Sequence, residues 1–182
     1  MAAAIFIVSY LLFLVLWIAV KNTYGYAITS TVSHFTAMVK GVLIESITRG
    51  GDMLKVTFSK HAYMGTAVAE VPVKTSAYTF NAPLTYAIMA TLYPFTKKRK
   101  RAYLEAIVAL LFIHSLFVFS LELRMLTELF MGKGLEPMSK AKLILYQFLW
   151  SFTDNMVIRF EPFLIGFYLF LRFRKDKTPH EL

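Results

Sequence analysis

The chain has 182 residues, of which 57% are hydrophobic and 16% aromatic; it carries a net charge of +9 and has a mean hydropathy of +0.56. A soluble domain holds about 45–50% apolar residues, so the composition points to an integral membrane protein. Nine of the 20 Lys and Arg lie in blocks 97–101 and 172–177, each directly after an apolar span; this is the positive-inside pattern rather than a nucleic-acid surface. There is no Cys, which excludes disulfides, zinc thiolates, iron–sulfur ligation and a Cys nucleophile.

Ala2–Val20 is a near-continuous apolar run, long enough for about 28 Å of helix. No Lys or Arg precedes it and no small-x-small site follows before Lys21, so an uncleaved anchor is expected. In the mixed segment Lys21–Val39, Tyr24, Ile28, Val32, Phe35 and Val39 recur at three- and four-residue spacing. Two readings stand: an amphipathic helix on the membrane surface, or a continuation of the first helix.

Residues 41–80 turn β-prone. Val42–Thr48 and Met53–Ser59 flank Arg49-Gly50-Gly51-Asp52, where Gly50 and Gly51 supply the positive φ of a tight hairpin. A second turn near Gly65 leads into Ala67–Thr79, with Pro72 predicting an edge position. The expectation is a three-stranded antiparallel meander, too small to stand alone and leaning on helices or a partner.

Asn81-Ala82-Pro83 reads as a helix start, with Asn81 as cap. Leu84–Phe95 is then a short second span and Ala102–Leu121 a third. Glu122–Lys142 reads as a polar extracytoplasmic loop, with Glu122, Arg124 and Glu128 on a solvated face. Leu143–Leu171 is a long fourth span. The cations Lys97, Lys98, Arg99, Lys100 and Arg101 remain cytoplasmic, as do Arg172, Arg174 and Lys175, and anionic inner-leaflet lipid is their counter-charge. Lys21 opposes this orientation, but one lysine is outvoted by two clusters. The expected architecture is an α-helical integral membrane protein with four transmembrane helices plus a small extracytoplasmic β-meander, both termini cytoplasmic. Its parts are an anchor at 1–20, the extracytoplasmic segment and meander at 21–80, a three-helix region at 81–175 with a basic loop at 96–101, and a tail at 176–182.

The polar residues inside the spans are the candidate site. His114 lies 13 residues from Arg101, Glu161 11 residues and Arg159 13 residues from Arg172, which places all three about 17–20 Å above the inner clusters. Intramembrane ionisable groups face the bundle interior and pair, so a cluster of His114, Arg159 and Glu161 with Asp154 and Asn155 above it is expected. Arg159 and Glu161 are two apart and diverge; one of them needs a partner on another helix. A functional polar site and simple interhelical glue both fit, and Pro162 is expected to kink the last helix. Ser115 beside His114 makes no nucleophile–base pair, and His34 and His61 are isolated. No phosphate loop, nucleotide fingerprint, zinc motif or Ser/His/Asp set occurs; no catalytic residue, metal or cofactor is assigned.

The order of elements, with Phe80-Asn81-Ala82-Pro83-Leu84-Thr85-Tyr86, Leu145-Tyr146-Gln147-Phe148, Pro162 and Arg172, resembles the exosortase H-associated membrane proteins over roughly residues 41–175. The chain departs from that pattern by the insertion of Ala82 and by Arg159 and Glu161 at positions expected to be apolar. The resemblance implies a bacterial inner-membrane accessory subunit of a protein-sorting system, binding an exosortase-like Cys enzyme or its substrate and not itself an enzyme. The alternative is a small subunit of an envelope transport or assembly complex with a polar mid-membrane site. An intramembrane enzyme using His114 and Glu161 is the least favoured of the three.

Overall fold

The fold is built along α1 (Ala2–Lys40), a single 39-residue helix about 58 Å long. The computed structural model describes residues 2–62, 65–96, 99–136 and 139–173; Lys97, Lys98, Arg174, Lys175 and the tail at 176–182 lie outside the described residues. In its first half α1 exposes Ile7, Val8, Leu11, Leu12, Val15 and Leu16. In its second half it buries Gly25, Ile28, Thr29, Val32, Ser33, Thr36 and Ala37, one helical face at three- and four-residue spacing. Segment 21–39 is thus a continuation of the first helix, not a separate surface helix.

Three antiparallel strands follow in the order β1-β2-β3: β1 (Leu43–Gly50), β2 (Met53–Ala62) and β3 (Gly65–Lys74). Gly50 pairs with Met53, leaving the two-residue turn Gly51-Asp52. Only Gly51 needs the left-handed region there, at φ +62; Gly50 does not. Leu54, Val56 and Phe58 of β2 and Ala69, Val71 and Val73 of β3 are buried, the period of two expected for a sheet with one covered face. Pro72 sits on the edge strand β3 opposite Lys55, where its missing donor is tolerated. The chain expected to extend the strand to Thr79 is instead a short helix, α2 (Thr75–Thr79). Asp52 in the hairpin turn explains this. Its carbonyl accepts from Thr75 N at 2.9 Å and its carboxylate from Ser76 N at 3.2 Å, so the first amides of the turn are already satisfied.

Next come α3 (Ala82–Leu92), a 3₁₀ turn at Tyr93–Phe95, α4 (Arg99–Gly132), α5 (Lys140–Phe152), a π-helical run at Thr153–Ile158 and α6 (Arg159–Phe173). Along α4 a buried stripe recurs every fourth residue: Ala102, Ala106, Leu110, His114, Val118, Glu122, Leu126 and Phe130. One core joins α1, the sheet, α2 and the second half of α4. A second joins α3, the first half of α4 and α6. The meander therefore leans on the long helices.

Two helices, α1 and residues Lys100–Gly132 of α4, are long and apolar enough to cross a membrane, which points to a membrane location. The expectation of four spans is corrected. Helix α3 has 11 residues, about 16 Å against a hydrocarbon core of about 30 Å. The last helical run is divided by the π segment, carries Asp154, Arg159 and Glu161, and ends in the 15 residues of α6, about 22 Å. The expected loop at 122–142 is corrected too: α4 stays helical to Gly132, because its apolar stripe continues through Leu126 and Phe130 against the sheet.

Candidate functional site

Helices α1, α3, α4 and α6 each place one polar side chain at a common buried node. His114 of α4 is at its centre and fully buried. Its Nδ1 lies 2.7 Å from the Tyr24 hydroxyl of α1 and its Nε2 3.1 Å from Glu161 Oε2 of α6. In the tautomer that satisfies all three groups, the hydroxyl donates to Nδ1 and Nε2–H donates to the carboxylate. The Thr85 hydroxyl of α3 lies 3.4 Å from Glu161 Oε1 and 3.3 Å from the Asn81 carbonyl, donating to one at a time. The edges of Tyr24 and Tyr78 pack against the imidazole with centroids 5.6 and 5.5 Å away.

Two turns further along α4, Glu122 forms a second buried node. The Ser33 hydroxyl lies 2.5 Å from Glu122 Oε1 and 2.7 Å from the Thr29 carbonyl. Glu122 Oε2 has no hydrogen-bond partner among the described residues. Tyr78 donates to the Gly25 carbonyl at 3.2 Å beside Thr29 Oγ1 at 3.3 Å, and burial pushes its hydroxyl up to about 12.

Pro162 and Asn81 are joined through a third contact. A proline at 162 cannot donate to the carbonyl four residues back, which is that of Ile158. The Asn81 side chain supplies the missing donor: its Nδ2 lies 2.5 Å from Ile158 O. This is why Asn81 does not cap α3 through its side chain, as the sequence led us to expect. The π run ends at Ile158, an adjustment of the kind that accompanies a proline inside a helix.

Of the expected cluster, the structure brings His114 and Glu161 together and leaves out Asp154, Asn155 and Arg159. Asn155 is exposed and donates to the Ser151 carbonyl at 3.0 Å. Asp154 is half-buried and Arg159 exposed, and neither makes an ion pair or hydrogen bond among the described residues. The reason is angular: Arg159 and Glu161 are two apart, so turning Glu161 inward turns Arg159 out. At one end of the bundle, Glu105 accepts from Arg101 Nε at 3.0 Å, Arg172 Nε at 3.1 Å and the Tyr168 hydroxyl at 2.9 Å, so residues from both basic blocks meet there. The expected solvated face at 122–128 is corrected. Glu122 is buried, and the Arg124 guanidinium stacks 3.8 Å above the Trp150 ring; only Glu128 is exposed.

Among the described residues, three cavities lie away from these nodes. One of about 590 Å³ is lined by His34, Lys60 and His61 beside the start of β1, and one of about 260 Å³ by Lys40, Glu136, Ser139, Lys142 and Tyr146. The third is an apolar groove of about 580 Å³ between α3 and α6. No group of three His, Cys, Asp or Glu that could hold a metal occurs among the described residues. The sequence reading missed Tyr24, Thr85, Ser33 and Glu122. Four-residue steps from His114 land on Glu122, and Thr29, Ser33 and Thr36 share one face of α1, so a signal was present in the spacing.

No family model, curated protein or solved structure matches the chain.

Proposed function

We propose that the chain is a non-catalytic accessory subunit of a membrane-protein complex, held in a bacterial inner membrane with both termini cytoplasmic. The observation that carries this reading is where the polar and apolar groups lie. His114, Glu122 and Glu161 are fully buried and none of them lines the three cavities above, so substrate has no route to them there. The outer face of the last helical run instead presents Leu145, Phe148, Phe152, Phe160, Phe163 and Phe167. The run from Lys140 to Phe173 is divided by the π segment and keeps this apolar face on both sides of it; a contiguous exposed apolar face of this kind marks a protein contact. Arg101 and Arg172 meet at one end of the bundle through Glu105, where anionic lipid is the counter-charge proposed for them.

The resemblance at Asn81, Pro83, Tyr146, Gln147 and Pro162 makes an exosortase-like Cys enzyme, or its sorting-signal substrate, the partner of this reading. The rival, a transport or assembly subunit with a proton path, draws on the string Tyr24–His114–Glu161, which none of the three cavities described above reaches. The test is a benzophenone side chain at Phe148 or Phe167, illuminated in native membranes, with the adduct identified by mass. A multi-spanning Cys enzyme is expected; a transport protein would favour the rival. Adducts with lipid alone at both positions would refute the accessory role.

A further inference from the structure

At the other end of α4 from Glu105, a cavity of about 260 Å³ lies where α1 and α4 finish and α5 begins. Its lining residues Ser139, Lys142 and Tyr146 fall at i, i+3 and i+7, one face of α5. Lys40, the last residue of α1, has a side chain only 7% exposed. Its ammonium lies 3.1 Å from Glu136 Oε1 and 3.0 Å from Oε2, and Lys60 reaches the same carboxylate at 3.4 Å. Glu136 is the one acid among the described lining residues. Its single charge is therefore shared by two lysines, while Lys142 makes no ion pair among the described residues. Three lysines against one carboxylate leave two positive charges in excess. Hydrogen-bond capacity is unbalanced in the same direction. An ammonium has three donors; Lys40 spends two on Glu136. The Ser139 hydroxyl accepts from Lys142 N at 3.4 Å, which leaves its own proton to donate. The Tyr146 hydroxyl has no partner among the described residues, and its ring lies 5.5 Å from the Lys40 ammonium. Thr127 alone has its proton spent, on the Leu123 carbonyl at 2.6 Å.

We propose that this cavity binds a phosphate monoester group, carried by a small soluble ester or by a lipid headgroup. Such a group brings roughly two negative charges at neutral pH and three strong acceptor oxygens, which answers both imbalances; a carboxylate or a chloride answers one charge. Lysine ammonium groups bind phosphate as point charges. The volume limits what enters with the phosphate. Pockets for drug-sized ligands begin at about 300 Å³, so at about 260 Å³ the cavity holds the phosphate and a few further atoms while the rest of its carrier stays outside. The inference goes beyond the accessory-subunit reading and stands or falls without it.

The test is calorimetric titration of the full chain, in an uncharged detergent and phosphate-free buffer, with inorganic phosphate and with glycerol phosphate. One site is expected, tightening as the pH rises through the second phosphate pKa of about 6. Lys142→Gln should weaken binding about tenfold, the worth of one charge-assisted hydrogen bond, and Tyr146→Phe about threefold. Lys142 is exposed, so its variant should keep the parent's thermal midpoint without phosphate. Lys55→Gln, a lysine of β2 outside the cavity, should bind like the parent. In a second arm the chain is exposed to phosphatidic acid or phosphatidylcholine in detergent, and retained lipid is weighed by native mass spectrometry. Heat from the soluble ligands assigns the phosphate to a soluble ester. Retention of phosphatidic acid that Lys142→Gln removes, without heat from the soluble ligands, assigns it to a lipid. No heat and no retained phosphatidic acid overturns the proposal. Binding that Lys142→Gln leaves unchanged, equal heat from chloride, or an equal loss in Lys55→Gln overturns it as well.

Discussion

Replacing Asn81 by Ala isolates the contact that joins the start of α3 to the proline of α6. Asn81 is 6% exposed and Ile158 1%, so the Ile158 carbonyl cannot turn to water when the amide at 2.5 Å is removed. With Pro162 in place the residue four positions on has no N–H to replace it. A buried carbonyl left without a donor costs about 1–3 kcal/mol, and no capping bond is lost, since the Asn81 side chain makes none. Restoring a backbone donor by Pro162→Ala should change the outcome: in that background Asn81→Ala should cost less than about 1 kcal/mol, the loss of ordinary packing alone. The coupling is therefore about 1–2 kcal/mol. Thermal unfolding in mild detergent, followed by far-UV dichroism, should show Asn81→Ala lowering the midpoint by about 2–12 °C in the parent and by clearly less in the Pro162→Ala protein. Equal losses in the two backgrounds would refute the exchange of donors described above.

Three further outcomes follow from the same geometry. His114→Leu strands Glu161 and should destabilise the detergent-solubilised protein by about 3 kcal/mol; adding Glu161→Leu should recover part of that, and strictly additive losses would count against a buried pair. Gly51→Val forces a β-branched residue to φ +62 and should cost about 1–2 kcal/mol, whereas Gly50→Val should cost less than half as much; the reverse order of midpoints would move the turn. Burial raises the Tyr78 hydroxyl from 10.0 to about 12, so its contribution is complete below pH 10 and is lost as the pH rises toward 12. Chemical unfolding across that window should fall less steeply in Tyr78→Phe than in the parent, and parallel curves would sink the assignment.

Much of the architecture is legible because period and punctuation agree. The strands at 43–62 alternate, the glycine pair marks the hairpin, and the apolar runs at 2–20 and 102–121 mark the two long helices. The elements misread are those where tertiary contacts override local composition. Glu122 looks like the solvated end of a helix, yet Ser33 accommodates it in the core, and Leu126 and Phe130 carry the helix onward. Thr75–Thr79 is β-prone but is turned into a helix by Asp52, more than 20 residues away. His114 and Glu161 were placed at one height by counting residues from two basic blocks. That arithmetic gives height but not angle, so it groups Arg159, which is exposed, with a node it faces away from. The π run, which no periodicity announces, adds to the misalignment above it.

A bundle of apolar helices has a problem of register. Burying Leu or Phe against lipid-like neighbours discriminates weakly between one alignment and the next, since the surroundings are nearly as apolar as the core. Polar groups discriminate strongly, because each has a partner in one register and none in the next. Here Tyr24, Thr85, His114 and Glu161 come from four different helices and close on one another within 3.4 Å; sliding any one helix by a residue opens the node. Ser33 with Glu122 fixes α1 against α4 a second time, and Asn81 with Ile158 fixes α3 against the last run. These contacts account for His114 and Glu161 without assigning them chemistry.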